Sequence, residues 1–278
     1  MSLPKLALIH DMCGVGHCSM TVALPIVSIM GIQGCPIPTS IFSNHTGYPE
    51  WYKLDITEHL DPYIDVWSRL GVSLDGIYCG YLGSGLQVEA VQKLIAHYPD
   101  IPLFLDPVMG DHGKLYSAIT PDHIQAMQML LTHAAYITPN ITEACILAGY
   151  PYKEHFDLQD LLQITEKLHK MGPSNIVITG LREAASIQNF ISYKKNDGFC
   201  QESIYTPVAG NSRPGTGDIF ASVLISCIIK GQSLPQAAEK AAQFVCDCIQ
   251  VSDKQKLPIC EGTAFELILP TLITPPSA

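Results

Sequence analysis

Ile101-Pro-Leu-Phe-Leu-Asp106-Pro-Val-Met-Gly-Asp111 is the stretch that decides the fold class. Residues 101–105 are apolar throughout, as a parallel strand covered on both faces should be; a strand with one wet face would alternate. The run turns polar abruptly at Asp106. The same order recurs on either side. Residues 5–9 read as a strand running into His10-Asp11, residues 76–79 into Gly80-Tyr-Leu-Gly-Ser-Gly85, residues 134–138 into Pro139-Asn140-Ile-Thr-Glu143, and residues 175–179 close the series. Residues 37–42 form another strand, followed by a polar loop over 43–49.

Helical patterns separate these runs. One starts with Ser19 as N-cap and ends at Met30 before Gly31, with Pro25 expected to kink it. Others cover 58–70, the segment from Gly85 to about 97, the start at Thr120-Pro121-Asp122, the piece ending at Leu147, and 157–171. Strand–helix alternation predicts an α/β chain: a three-layer α/β/α sandwich around a mostly parallel sheet. Residues 185–205 break the rhythm with strand-like pieces around Asn196-Asp197-Gly198, a hairpin turn signal, so a late antiparallel hairpin is expected. Ser233-Leu-Pro-Gln236 is a capping box for a last long helix to about 251. No repeat, linker or composition break divides the chain, and residues 1–278 are read as one domain.

Composition narrows the function classes. The chain is 47% hydrophobic and 15% charged, with net charge −10. That balance supports a sizeable core and argues against a nucleic-acid surface, which needs a basic patch. The longest apolar run, 219–229, is too short to span a bilayer, and the first ten residues turn polar too soon for a secretory signal. The expected location is cytoplasmic, with the ten cysteines reduced. Their spacing offers no Cys-x-x-Cys zinc pair.

In an open parallel sheet, ligands bind beyond the carboxyl ends of the strands. The polar residues that follow the strands are Asp11, Thr46, Tyr81, Asp106, Asp111, Asn140, Glu143 and Thr179. A further stretch, Asn211-Ser-Arg-Pro-Gly-Thr-Gly-Asp-Ile-Phe-Ala-Ser-Val-Leu224, carries the chemistry. Gly215 and Gly217 allow a bent backbone to approach a ligand. The helix that follows presents unpaired N–H groups and a positive dipole end, which together favour an anion such as phosphate. Asp218 would repel phosphate, but it suits a general base that takes a proton from an attacking hydroxyl. The plainer alternative is that Asp218 caps its own helix. Asp106 and Glu143 could hold Mg²⁺, which prefers oxygen ligands and keeps several waters. A Walker loop is absent, and Gly14-x-Gly16 and Gly83-Ser-Gly85 lack the third glycine of a dinucleotide fingerprint.

Gly215-Thr-Gly-Asp218 resembles the signature of the ribokinase-like superfamily. Asp106-Pro-Val-Met-Gly-Asp111 and Thr138-Pro-Asn-Ile-Thr-Glu143 resemble motifs of its vitamin-kinase branch, and Phe42-Ser-Asn-His-Thr-Gly-Tyr48 resembles the substrate loop of pyridoxal kinases. The motifs stand in the family's order and span nearly the whole chain. The resemblance implies ATP-dependent phosphorylation of the 5′-hydroxymethyl group of pyridoxal, pyridoxamine or pyridoxine, usually by a homodimer. It implies Asp218 as catalytic base and the backbone of Gly215, Thr216 and Gly217 as the anion hole, with Gly217 also touching ATP. Thr46, Tyr81 and Asp218 would line the substrate pocket. Asp106, Tyr116, Asn140, Glu143 and Thr179 would form the nucleotide side, with Asp106 and Glu143 toward Mg²⁺. A monovalent cation is left open. Asp11 stands where such kinases carry a serine that bonds the pyridine ring. It could face the ring nitrogen in a charge-assisted bond, or turn outward as a helix cap. Two other readings stay open: a hydroxymethylpyrimidine kinase, which shares the Asp-Pro-Val-Met segment, and a vitamin-binding protein that has lost catalysis.

Overall fold

A computed structural model describes residues 3–273 apart from 118 and 197. One nine-stranded sheet runs through the chain in the order β11-β10-β9-β8-β5-β4-β1-β2-β3. Its strands are β1 (Lys5–Val15), β2 (Gln33–Asn44), β3 (Lys53–Asp55), β4 (Gly76–Cys79), β5 (Leu103–Leu105), β8 (Ala134–Ile137), β9 (Asn175–Arg182), β10 (Ser186–Lys195) and β11 (Gly198–Pro207). A separate small ribbon pairs β6 (Gly110–Asp111) with β7 (Lys114–Leu115). The six central strands from β2 to β9 are parallel, while β3 at one edge and β10–β11 at the other are antiparallel.

The apolar runs serve two faces at once. Ile9, Ile77, Cys79, Leu103, Leu105, Ile176 and Ile178 enter one core. Leu6, Leu8, Tyr78, Phe104 and Val177 point the other way into the second. This alternation under a continuous apolar sequence is what two covering helix layers require. The first layer is α2 (Thr57–Leu70), α3 (Gly85–His97), α4 (Pro121–Leu131), α5 (Ile141–Ala148) and α6 (Leu158–Lys170); the second is α1 (Met20–Ile29), α7 (Thr216–Ile229) and α8 (Leu234–Lys254). The expected sandwich and the late hairpin are therefore both present. Asp197 of the expected hairpin turn lies outside the described residues.

Several bounds differ from the sequence reading. The first strand does not stop at Ile9 but continues to Val15, because it stays paired with β2, which itself reaches Asn44 inside the expected loop. The register slips by one residue between His10 and Met12, a bulge that re-aims the side chains there. β5 is shorter than 101–105, and β9 runs on to Arg182 because β10 pairs with it. Strands β3, β6 and β7 were not expected; at two or three residues each they carry no readable alternation.

The sheet order places the site. The chain steps from β1 to β2 on one side, then crosses to β4 on the other, so the order in which the parallel strands are added reverses between β1 and β4. A crevice outside the carboxyl ends belongs at such a reversal.

Candidate active site

α7 begins on one side of this crevice. Its N-cap, Gly215, has φ +80°, the left-handed region. Residues Ile219 to Cys227 are all buried, so the helix is anchored as a core element and its first turn is held in place. Asp218 lies in that turn with a side chain 12% exposed. Its carboxylate does not cap α7. Oδ1 accepts from His10 Nε2 at 2.9 Å, and Oδ2 accepts from the Ser19 amide at 2.7 Å. Both bonds come from 199 and 208 residues away in sequence, so helix-cap preference could not have revealed them.

Ser19 corrects a second expectation. It stands just before α1 as predicted, but its side chain makes no cap bond. Its backbone is at φ +57°, unusual for a non-glycine residue, and this directs the amide N–H onto Asp218.

His10 is buried on β1 beside the bulge, whose extra residue belongs to β2, and joins two acids. Nδ1 lies 2.8 Å from Asp11 Oδ1, and Nε2 reaches Asp218. Burial alone would lower the histidine pKa, but the hydrogen bonds and charges of Asp11 and Asp218 outweigh it and raise the pKa well above the ordinary value. Asp11 moves the other way: burial opposes its charge, and the His10 bond and charge bring its pKa below the usual range. Asp11 Oδ2 also accepts from Cys13 Sγ at 3.3 Å. Asp11 is thus neither turned outward as a cap nor aimed first at an open pocket; both oxygens are engaged inward, because the bulge sets it against the buried imidazole.

Asp106 follows β5 and is buried, with its amide on the Cys79 carbonyl. Burial first, and the Asp218 charge second, push its pKa up to about 7. Asn140 and Glu143 form a capping box at the start of α5. Glu143 Oε1 accepts from the Met109 amide at 3.0 Å and Oε2 from the Asn140 amide at 2.9 Å, so this acid ties the 106–111 loop to α5. Burial and then the Asp106 charge raise its pKa well above the usual value. Asn140 Nδ2 donates to the Gly110 carbonyl, and Asn140 bridges Thr179 on β9. Tyr116 joins this group: desolvation of its hydroxyl, then the charges of Glu143, Asp111, Asp106 and Asp218, raise the phenol pKa.

A stability test follows from Asp106. Its folded pKa is raised, so its contribution is fully present below the ordinary carboxylate value and is lost as pH rises through about 7. Ligand-free protein should lose about 2 kcal/mol from this source between about pH 5.5 and pH 8. Thermal melts of Asp106→Asn should fall less over that range than wild type; parallel slopes would contradict the assignment.

The opposite wall is built from β1, β2 and the loop after β4. Tyr81 packs its ring edge against Phe42 with centroids 6.1 Å apart, beside buried Cys13 and Cys18. Thr39 Oγ1 donates to the Tyr81 carbonyl, and the buried Gln87 amide group bonds the Thr39 carbonyl and the Gly83 amide, which fixes this loop. Thr46 is exposed in the turn after β2. Its neighbour His45 holds that turn in place, donating from Nε2 to the Cys260 carbonyl at 2.6 Å. The His45 ring lies where a Cβ on Gly16 would come within 2.4 Å, so Gly16 serves close packing of this loop, not a dinucleotide.

Two supporting residues had no role in the sequence reading. One is His10, which appeared only as the end of a strand. The other is Arg213, 5% exposed, whose guanidinium donates to the carbonyls of Pro258, Gly262 and Leu257 and to Asp253. It locks the glycine loop to the C-terminal segment. A charged residue inside an otherwise loop-like Asn-Ser-Arg-Pro string gave no sign of burial.

Hydrogen bonds and through-space charge thus link Asp218 to Asp11 through His10, Asp218 to Asp106, Asp106 to Glu143 and Tyr116, and Glu143 to Asn140 and Thr179; Tyr81 feels the Asp11 charge, and Thr46 lies exposed in the turn after β2. Known proteins carry the same architecture. The sequence profile described as phosphomethylpyrimidine kinase matches residues 24–263. The chain belongs to that family. A candidate phosphomethylpyrimidine kinase from Bacteroides thetaiotaomicron, solved in one crystal form with pyridoxal, is 35% identical, with TM-score 0.91 over 100% of this chain and 98% of that one. Pyridoxal kinase from Lactobacillus plantarum is 26% identical, with TM-score 0.87 over 98% and 97% of the two chains. Pyridoxal kinase from Dictyostelium discoideum is 26% identical across 92% of this chain and 89% of its own. Relatives named pyridoxal kinase thus share the fold and nearly the whole length of this chain. Among the described residues no helix is long and apolar enough to cross a membrane.

Proposed function

We propose that this chain transfers the γ-phosphoryl group of ATP to the 5′-hydroxymethyl group of a B6 vitamer, as one kinase domain over residues 1–278. One observation carries the reading: Asp218 is ionisable, nearly buried and fixed by two donors at the start of a helix that presents a glycine-bent anion loop. The names of the relatives and the pyridoxal-bound crystal form support the substrate class.

In this reading the hydroxymethyl oxygen attacks phosphorus while Asp218 takes its proton, and the bond to the β–γ bridging oxygen breaks so that ADP leaves with the electron pair. The amides at Gly215, Thr216 and Gly217 offset charge on the transferring phosphoryl group. Asn140, Thr179 and Tyr116 line the nucleotide side, and Tyr81 with Thr46 borders the vitamer. Asp106 and Glu143 are two buried acids with raised pKa, a pairing that a cation relieves, and each retains free oxygen lone pairs. They form no cluster of three ligating side chains among the described residues, which suits an ion that keeps its waters. These two residues would hold Mg²⁺, which draws charge from the β- and γ-phosphate oxygens when bound. The protein would work in the cytoplasm as a homodimer.

The test is ADP release with pyridoxal, pyridoxamine, pyridoxine and hydroxymethylpyrimidine offered separately. Turnover on the pyridines at least about 100-fold faster than on the pyrimidine is expected, a ratio a few well-placed hydrogen bonds supply. Preference for the pyrimidine would favour the second reading, which the family's description motivates. Tight pyridoxal binding without ADP release would mark a binding protein.

A further inference from the structure

Every role given to Asp218 assumes that it stays charged and correctly turned beside other acids. The side chain that arranges this is His10. Asp218 faces a negative neighbourhood: its charge and that of Asp106 act on each other across the crevice, and buried Tyr78 feels Asp106, Asp218 and Asp11 together. His10 is the basic group set between them. From β1 it meets Asp11; from α7 it meets Asp218; from β4 the Tyr78 ring meets it edge-on with centroids 6.0 Å apart; Asp106 after β5 acts on it through space.

We infer that His10 is a positioning residue for the phosphoryl transfer: a buried imidazole, held by Asp11, that orients Asp218 as the base. The inference rests on the kinase reading and deepens it.

Nε2 is 2.9 Å from one carboxylate and Nδ1 is 2.8 Å from the other. A lone pair on Nε2 would face Asp218 Oδ1, so Nε2 donates there. Nδ1 donates to Asp11 when the ring is charged, the form that the two flanking carboxylates favour, and accepts from the Asp11 and Tyr81 amides when it is neutral. With Oδ1 taken by His10 and Oδ2 by the Ser19 amide, the carboxylate cannot rotate, and each oxygen keeps a lone pair for a substrate hydroxyl. No proton leaves His10 in the reaction. There is no room for a different arrangement: the ring lies so close to Gly80 that a Cβ there would fall 2.3 Å from it. Asp11 thus acts at one remove, through His10.

The experiment pairs kinetics with a measurement that needs no substrate. His10→Gln keeps a donor without the charge, and His10→Ala removes both. In ADP-release assays His10→Ala should lose about 100-fold in kcat and His10→Gln about 10-fold, with KM for the vitamer near wild type, since misplacing a catalytic group costs about that much. The graded fall in kcat at unchanged KM, partly rescued by the donor that His10→Gln retains, separates positioning from a packing role, which would lower the stability of both variants without that split. In wild-type protein without ligand, the imidazole ¹⁵N signals of His10 should report two protonated nitrogens at neutral pH, and Asp11→Asn should bring their titration to lower pH. Wild-type kcat in folded His10→Ala, or a neutral imidazole in wild type, would overturn the inference while leaving the kinase reading intact. Absence of ADP release from wild type on every vitamer would overturn both.

Discussion

Asp218→Asn should lower kcat by about 10²–10⁴-fold, the range a positioned general base supplies. ATP affinity should stay close to wild type, because the nucleotide side is built from Asp106, Tyr116, Asn140, Glu143 and Thr179, on other elements. The variant also tests the hydrogen-bond pattern. An asparagine keeps one acceptor oxygen and replaces the other with an NH₂ group. One of the two donors now on Asp218, His10 Nε2 at 2.9 Å or the Ser19 amide at 2.7 Å, must then face a donor. That mismatch should cost about 1–3 kcal/mol of stability in thermal or urea melts. The two readouts come from one carboxylate but measure different things. Near-normal turnover with a lowered melting point would remove Asp218 from the chemistry and leave it as a brace between α7 and the β1–α1 connection.

The α/β plan was legible because the information it needs is local. Leu103-Phe-Leu105 needs only its own apolarity to declare a strand covered twice, and Thr120-Pro121 declares a helix start by the proline alone. The candidate residues could be named for the same reason: acids and amides that follow strands lie at one end of a parallel sheet, whatever their roles. What was not legible is who holds whom. His10 looked like the last residue of a strand; its role comes from partners 1 and 208 residues away, and from a bulge that pairing with β2 creates. Ser19 was placed correctly as a helix boundary and given the wrong function, because cap statistics describe side chains and its contribution is an amide. Glu143 was expected to face a crevice; it is buried with both oxygens on backbone amides, and a capping-box pattern of Asn140 and Glu143 could have announced that role. Arg213 lacked any signal, since its four acceptors lie over residues 253–262, far beyond any local pattern.

Gly215→Ala should be the most damaging small substitution in the anion loop, and Gly217→Ala its control. Gly215 holds φ +80°, where an L side chain is strained, and a Cβ there would fall 1.9 Å from the His17 carbonyl oxygen. That oxygen cannot step aside: the His17 amide is bonded to the Glu261 carbonyl, its Nδ1 donates to the same oxygen at 2.6 Å, and its Nε2 pairs with Glu266 at 2.8 Å. The glycine loop, the β1–α1 connection and the C-terminal segment meet there, with Arg213 fastening the third to the first. Left-handed strain and overpacking together should cost about 2–5 kcal/mol, read as a lowered denaturation midpoint. Whatever fraction stays folded should turn over about 100-fold more slowly, because relief of the clash displaces the amides that face the phosphoryl group and the Asp218 turn with them. Gly217 has no positive φ and open space where its Cβ would lie. Gly217→Ala should therefore fold as well as wild type, or gain about 0.4–1 kcal/mol through a less flexible unfolded chain. If it nevertheless loses turnover, the missing space is the space the phosphate occupies. Equal stability of the two variants would mean that the Gly215 turn is not the joint on which the anion loop is built.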